Sequence, residues 1–178
     1  MEGVGARGDP RYAVRMPRQP AIMTSVEAPP DLAAECAALL GSLPDWFGIP
    51  QAIEDYRRSI DGGACVHARD ETGALIGFLH TVRHFPGAAE VHVVAVSASW
   101  HRKGIGTRLL EAVERDLVAD GCRLLQVKTL APSAASEPYD RTRSFYLARG
   151  FEPLEVFPDL WDAHNPCLLL VKHLGRVS

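Results

Sequence analysis

The fold is decided by residues 91–117, VHVVAVSASWHRKGIGTRLLEAVERDL, where an apolar run of strand length passes through a glycine-containing turn into an amphipathic run. Gly104 and Gly106 carry no side chain, so the turn can be tight and can approach a ligand closely. The helix predicted after the turn begins with unpaired amides and with the positive end of its dipole. A strand, a glycine turn and a helix N-terminus in this order predict a phosphate-binding site.

The spacing of the glycines argues against two common phosphate-binding turns. A P-loop has Lys directly after its second conserved Gly, whereas here Lys103 precedes Gly104. A dinucleotide-binding turn has a third Gly three residues after the second, at a position that Leu109 occupies in this chain. The phosphate ligand is therefore expected to belong to another class.

The loop at residues 101–106, HRKGIG, resembles the pyrophosphate loop of the GNAT superfamily of N-acetyltransferases, which reads Arg or Gln, two residues, Gly, one residue, and Gly or Ala. His101 stands where that family usually has Arg or Gln. Residues 143–151, RSFYLARGF, are similar to the helix and strand that follow the cofactor strand in the family. Between residues 64 and 174 the predicted strands and helices also follow the order of the family.

The resemblance implies a mixed α/β fold. Its central, mostly antiparallel sheet is expected to be splayed at the acetyl-CoA site, with helices on both faces. It implies acetyl-CoA as co-substrate, no metal, and transfer of the acetyl group to a primary amine. The residues that it places around the cofactor are Ala95, Val96, His101, Arg102, Lys103, Gly104, Ile105, Gly106, Thr107 and Thr129.

The resemblance also suggests the catalytic residues. Glu90 lies fourteen residues before Gly104, which is the spacing of the general base in many family members. Strand alternation predicts that His92 shares a face with Glu90, together with Val94 and Val96, which makes His92 a competing base. Tyr146 matches a tyrosine that family members often direct at the cofactor sulfur, where a phenol can protonate the departing thiolate.

Three aromatic residues are candidates for acceptor contact, with packing on the core as the alternative for each. Trp46 and Phe47 lie in a loop bounded by Pro and Gly, and Trp161 lies in the segment 158–166, which we predict to be a long connection overhanging the acceptor site. The loop at residues 131–140 is predicted to be mobile.

Length and composition predict a single domain over residues 21–178, following a basic, Gly- and Pro-rich extension over residues 1–20 that we expect to be disordered. The resemblance implies that this domain is an acetyltransferase domain. The net charge of −3 argues against a nucleic-acid-binding protein, and no apolar run reaches the length of about 18 residues that spans a membrane. Four widely spaced cysteines suggest reduced residues of a cytoplasmic protein and no metal site.

The acidic balance favours a cationic small-molecule amine as the acceptor. A protein or peptide N-acetyltransferase stays open, and so does a catalytically silent acyl-CoA sensor. A third alternative is an interaction module that docks a protein through Trp46 and Trp161. A homodimer is also left open.

Overall fold

A computed structural model of the chain describes residues 20–25, 29–61 and 63–175. The predicted disordered extension therefore lies, except for residue 20, outside the described residues. The described part contains seven strands and four helices: β1 (Ala21–Ser25), α1 (Leu32–Gly41), α2 (Pro50–Ile60), β2 (Cys65–Arg69), β3 (Leu75–Phe85), β4 (Ala88–Val96), α3 (Ile105–Ala119), β5 (Leu124–Leu130), α4 (Glu137–Leu147), β6 (Glu152–Asp162) and β7 (Asn165–His173).

The strands form one sheet in the order β1-β2-β3-β4-β5-β7-β6. Among the described strands, β4 and β5 are the one parallel pair, and every other neighbouring pair is antiparallel. The crossover from β4 to β5 runs through α3, as a parallel connection requires. The prediction of a mixed α/β fold with a mostly antiparallel sheet is confirmed.

Helices cover both faces of the sheet. The apolar stripe of α3, which includes Ile105, Leu109 and Val113, is buried against one face, and Tyr146 of α4 belongs to the same cluster. On the opposite face, α1 and the end of α2 pack with Phe78 in a second cluster. Full burial of a side chain such as Leu109 contributes about 1.5–3 kcal/mol to stability, so these stripes account for where the helices lie.

The parallel pair separates partway along its length. β4 and β5 are paired from Ala88 opposite Leu124 as far as Val91 opposite Val127. Beyond these residues β4 continues to Val96 alongside β3 alone, and β5 continues to Leu130 alongside β7 alone. The sheet is thus splayed between its two central strands, and a slot opens between two backbone edges.

A β-bulge at His92 changes the predicted alternation of β4. Thr81 of β3 lies opposite Val91, and the next residue back, His80, lies opposite Val93, so His92 is the extra residue. Val91 packs in the cluster under α3, whereas Val93 and Ala95 pack in the cluster under α1. The predicted alternation is therefore wrong beyond His92, because a bulge shifts the side chains beyond it by one position. Val94 and Val96, which were predicted on the face of Glu90 and His92, pack against the cluster under α3.

Several predicted loops are shorter in the structure. α4 begins at Glu137, so the end of the loop predicted at residues 131–140 is helical. β6 and β7 extend toward each other and join at a tight turn over residues 163–164. The prediction of a long overhanging connection over residues 158–166 is therefore wrong. β1 was not predicted at all.

Gly77 of β3 is a packing requirement of this fold. A Cβ atom at Gly77 meets the Ala95 carbonyl oxygen at 3.1 Å, Ile105 Cγ2 at 3.2 Å and Leu109 Cδ1 at 3.3 Å, so α3 rests on the bare backbone. We expect Gly77→Ala to lower the free energy of unfolding by about 1–3 kcal/mol, as overpacking does. Urea denaturation measures the change.

Gly41 provides the matched control, because a Cβ atom there meets nothing within 4 Å. Gly41 is the last residue of α1, so Gly41→Ala is expected to leave stability unchanged or to raise it by up to about 1 kcal/mol. Equal stability of the two variants would contradict the close packing of α3 on β3.

Candidate active site

The loop before α3 has the backbone geometry of an anion site. Gly104 is the N-cap of α3 with φ of +79°, and Arg102 also has a positive φ of 57°. Arg108 donates the first backbone hydrogen bond of the helix, to the Gly104 carbonyl. The amides of Ile105, Gly106 and Thr107 therefore have no carbonyl acceptor within the helix, and they lie at the positive end of its dipole.

Side chains around this loop hold it in place and surround it with positive charge. Nε2 of His101 donates to the Val96 carbonyl at 2.7 Å, so the loop is tied to the end of β4. Nζ of Lys103 lies 4.7 Å from the centre of the Trp100 ring. A Cβ atom at Gly106 would meet the Phe145 ring at 3.3 Å, which shows how closely α4 approaches the loop.

Arg149 is a loop neighbour that sequence reasoning missed. Its guanidinium stacks 4.0 Å from the centre of the Phe145 ring and donates from Nε to the Thr107 hydroxyl at 3.2 Å. It thus brings a fixed cation to the N-terminus of α3 from the far end of α4. The Arg directly before Gly150 was visible in the sequence, but its proximity to Thr107 depends on how α4 packs.

The part of β5 that has separated from β4 carries a polar side-chain atom for which the described residues provide no partner. Thr129 is 3% exposed, and its hydroxyl is fully buried and makes no hydrogen bond to any described residue. Ala95 and Val96 lie on the other side of the slot, on the separated part of β4. An orphaned hydroxyl beside free backbone edges suits a ligand with amide groups, and the pantetheine arm of coenzyme A is such a ligand.

Glu90 lies at the centre of a buried polar cluster. Its side chain is 7% exposed, and Oε2 accepts hydrogen bonds from Nζ of Lys128 at 2.6 Å, Nε2 of Gln126 at 2.8 Å and Nε2 of His84 at 2.9 Å. Oε1 faces Nδ1 of His92 at 3.8 Å. The carboxylate therefore has hydrogen-bond donors on β3 and β5 and a nearby imidazole on β4.

The charge state of Glu90 follows from this cluster. Burial on its own would raise the pKa of the carboxyl group, but interactions with His92, Lys128, His84 and Gln126 outweigh it and hold the pKa well below its ordinary value. The lowered pKa favours the ionised carboxylate and means that its affinity for a proton is low. A carboxylate in that state orients and stabilises neighbouring cations better than it accepts protons.

His92 is more accessible than Glu90. Its side chain is 34% exposed, and its ring lies edge-on to Tyr56 of α2 at 5.4 Å and to His80 at 5.9 Å. His80 is itself held by Ser59, with 2.9 Å between Oγ and Nε2, and by the Ala64 carbonyl at 2.8 Å from Nδ1. The imidazole of His92 thus has fixed neighbours and a solvent-accessible edge.

Tyr146 is 2% exposed, with its ring centre 5.2 Å from those of both Phe145 and Phe151. Burial raises its pKa far above the ordinary value for a phenol, so the hydroxyl stays protonated. A protonated phenol can donate a hydrogen bond, although it is a weak acid.

The predicted acceptor aromatics separate into two groups. Trp46 and Phe47 lie on the side of α2. Trp46 donates from Nε1 to Thr142 of α4 at 3.1 Å, and Phe47 packs edge-on against Tyr56 at 6.1 Å. Trp161 is 48% exposed on β6, with β7 and β5 between it and β4. Tyr56 and Tyr139, which donates to the Trp46 carbonyl at 3.0 Å, were not predicted.

Two further properties concern only the part of the chain that the structure describes. No cluster of three or more His, Cys, Asp or Glu side chains has the arrangement of a metal site there. None of the described helices has the length and hydropathy needed to cross a membrane.

Comparison with solved structures gives the same fold. A GNAT-family protein from Desulfovibrio desulfuricans matches with a TM-score of 0.74 at 20% identity, over 87% of this chain and all of the other. An aminoglycoside 6'-N-acetyltransferase in complex with coenzyme A matches with a TM-score of 0.69 at 18% identity, over 89% and 99% of the two chains. The ribosomal-protein-S18-alanine N-acetyltransferase of Escherichia coli matches with a TM-score of 0.69 at 15% identity, over 89% and 97%.

The family follows from the sequence as well. No curated protein matches the chain. The sequence pattern of the acetyltransferase (GNAT) family, however, matches residues 36–151, which include β4, the loop before α3, and α4. The chain therefore belongs to the GNAT family, and it is an acetyl-CoA-dependent N-acetyltransferase.

Proposed function

We propose that this enzyme acetylates a primary amine of a small molecule at the point where β4 and β5 separate. The observation that carries the proposal is the position of His92. It is the first residue of β4 beyond the last pair with β5, its ring is accessible, and the ionised Glu90 lies behind it. A base at the apex of the slot, where the two strands begin to separate, can remove the proton that an incoming amine has to lose.

Acetyl-CoA supplies the acetyl group as a thioester. We assign its pyrophosphate to the amides of Ile105, Gly106 and Thr107. Gly104 gives the turn its shape, and Arg102, Lys103 and Arg149 supply positive charge. The backbone of Ala95 and Val96 and the hydroxyl of Thr129 are assigned to the pantetheine arm. A backbone amide near Val96 is assigned to the oxyanion of the tetrahedral intermediate, a contact that contributes about 10²–10³ in rate in other enzymes.

His92 is the base in this proposal, and Glu90 is a positioning residue. The three donors on Oε2 and the depressed pKa make Glu90 a poor acceptor of a proton from an ammonium ion. The remaining oxygen, 3.8 Å from Nδ1 of His92, stabilises the imidazolium that forms when His92 takes the proton. The amine nitrogen then attacks the thioester carbonyl.

Tyr146 is assigned to the departing sulfur as a hydrogen-bond donor. Its raised pKa keeps the proton on the phenol, and transfer of that proton to a thiolate is uphill because a thiol has a pKa of about 8.5. A hydrogen bond stabilises the thiolate without complete transfer. This role replaces full general acid catalysis, which the sequence suggested.

The preference for a small acceptor comes from the bridge over the acceptor side. Trp46 is bonded to Thr142, and Tyr139 is bonded back to the Trp46 carbonyl, so the loop before α2 is fastened to α4. Phe47 packs against Tyr56, and Tyr56 in turn contacts the ring of His92. These contacts restrict the space on the acceptor side, so a small cation fits there more easily than a folded protein. The structural relatives named above include enzymes for both kinds of acceptor.

The phosphate role of the loop is tested by a pair of glycine substitutions. Gly104 and Gly121 have φ of +79° and +78°, and a Cβ atom at either position meets nothing within 4 Å. We expect Gly104→Ala and Gly121→Ala to cost similar stability, about 1–2 kcal/mol, because both force a side chain into the left-handed region.

The two variants are expected to differ in coenzyme A binding. Because the substitution disturbs the loop geometry, calorimetric titration should show an affinity at least about tenfold weaker for Gly104→Ala. That change corresponds to a loss of at least about 1.4 kcal/mol of binding free energy. Gly121, at the other end of α3, should leave affinity unchanged. Equal affinities in the two variants would show that the loop does not bind coenzyme A.

The assignment of the base is tested by pH–rate profiles. With Glu90 held ionised, a change of rate between about pH 5 and 8 must come from another group, and histidine is the side chain that changes charge in this range. We expect His92→Ala to lose about 10²–10⁴ in kcat together with the pH dependence. His84→Ala is the matched control, because His84 also contacts the Glu90 carboxylate, and it should keep the profile. If His92→Ala kept the pH–rate profile and Glu90→Gln lost its pH dependence, Glu90 would be the base instead.

The acceptor class is tested by thiol release from acetyl-CoA over a panel of amines. The panel should contain aminoglycosides, polyamines, simple aralkylamines and peptides with free N-termini. We expect kcat/KM to be highest for a small cationic amine. The highest value for a peptide would overturn the small-acceptor proposal. Binding of acetyl-CoA without release on any amine would favour an acyl-CoA sensor, and no binding at all would favour an interaction module.

A further inference from the structure

The side-chain amine of Lys128 lies where the proposed function expects the acceptor amine to bind. Lys128 is the first residue of β5 beyond the last pair with β4, just as His92 is the first residue of β4. Its Nζ lies 2.6 Å from Oε2 of Glu90, and its side chain is 31% exposed. Lys128 and His92 both contact the Glu90 carboxylate, so they lie on the same side of the sheet at the apex of the slot.

The other lysines of the chain have different surroundings. The sequence has only three lysines, at positions 103, 128 and 172. Lys172 makes a similar ion pair, with Glu114 at 2.6 Å and with its side chain 21% exposed, but that pair joins β7 to α3. Lys103 lies on the exposed loop over Trp100. Lys128 is therefore the one lysine in the sequence at the opening between β4 and β5.

We propose that Lys128 is a self-acetylation site, at which the enzyme transfers one acetyl group from acetyl-CoA to its own Nζ. This proposal rests on the acetyl-transfer site proposed above. The ammonium gives one proton to His92, which releases it to solvent. The neutral nitrogen then forms a bond to the acetyl carbon, and the carbon–sulfur bond of the thioester breaks. The second proton lost from nitrogen ends on the departing sulfur, so the products are N-acetyl-Lys128 and free coenzyme A.

Two physical factors favour the reaction at Lys128. A tethered nucleophile reacts with an effective concentration far above that of a free amine, provided that its geometry is suitable. The surrounding groups also supply what an amine acceptor needs, namely a carboxylate that holds the ammonium and an imidazole that removes its proton.

Acetylation changes the site for later acceptors. An acetylated lysine has no charge and can no longer form the ion pair with Glu90. The carboxylate then keeps its contacts with His84, Gln126 and His92, and the position next to Oε2 becomes available to the ammonium of an external amine. Unmodified Lys128 thus competes with the acceptor, and the acetylated residue does not.

The test uses the full-length protein, prepared free of acetylation by deacetylase treatment and then incubated with acetyl-CoA. Intact mass and peptide mapping follow the number and position of acetyl groups. We expect one acetyl group at Lys128, added at least about tenfold faster than at Lys103 or Lys172. Because the transfer occurs within one chain, the fraction modified per unit time should not depend on protein concentration.

Matched variants distinguish this reaction from chemical acetylation. Lys128→Arg keeps a cation beside Glu90 and should abolish the modification, whereas Lys172→Arg, which alters the similar ion pair, should leave it unchanged. Gly104→Ala should slow it. Acetylation that is faster at exposed Lys103, or a fraction that rises with protein concentration, would overturn the proposal.

A second readout separates this proposal from the proposed function. If amines of the panel are acetylated while Lys128 stays unmodified, self-acetylation is wrong and the proposed function stands. If Lys128 is acetylated and no amine is, the external acceptor proposal fails and self-acetylation stands. If acetyl-CoA does not bind, both fail.

Discussion

The separation of β4 from β5 after Val91 and Val127 is the constraint on which the rest of this structure depends. A parallel pair inside a sheet normally continues to the strand ends, because unpaired backbone groups are costly to bury. Here each strand keeps its outer neighbour, β3 or β7, so the sheet holds together while its centre opens. Beyond these residues the two strands no longer pair with each other, and the Thr129 hydroxyl has no hydrogen-bond partner among the residues that the structure describes, so a ligand with amide groups can bind between the strands.

The bulge at His92 and the cluster around Glu90 form the apex of the same opening. The bulge leaves Glu90 and His92 on the face of the sheet that α2 covers. It also turns Val93 and Ala95 toward this face, where they join the cluster under α1. Glu90 is costly to bury, and the hydrogen-bond donors on β3 and β5 offset that cost. Removing one partner of a buried ion pair typically costs about 3–5 kcal/mol because the other charge is left unpaired. Glu90 has several donors, so we expect the loss of any one of them to cost less.

Much of this arrangement could be predicted from local sequence signals. The glycine turn and the amphipathic helix after it follow from chain neighbours alone, and the structure has both where the sequence indicates. The bulge at His92 could not be predicted, because it depends on register with β3. The same holds for Arg149 beside Thr107, for Tyr56 beside His92 and for Lys128 beside Glu90, each of which joins residues distant in sequence. β6 and β7 were predicted too short because exposed strand ends such as Trp161 carry little apolar periodicity.

Amide hydrogen exchange, measured residue by residue with and without saturating acetyl-CoA, shows whether acetyl-CoA binds between the separated ends of β4 and β5. We predict added protection in three places: the amides of β4 beyond Val91 that face β5, those of β5 beyond Val127 that face β4, and those of the loop over residues 102–107. The distant edge strand β1 should not change. If acetyl-CoA saturated the protein and the separated strand ends gained no protection, acetyl-CoA would bind outside the slot. That result would contradict the assignment of the slot as the cofactor site.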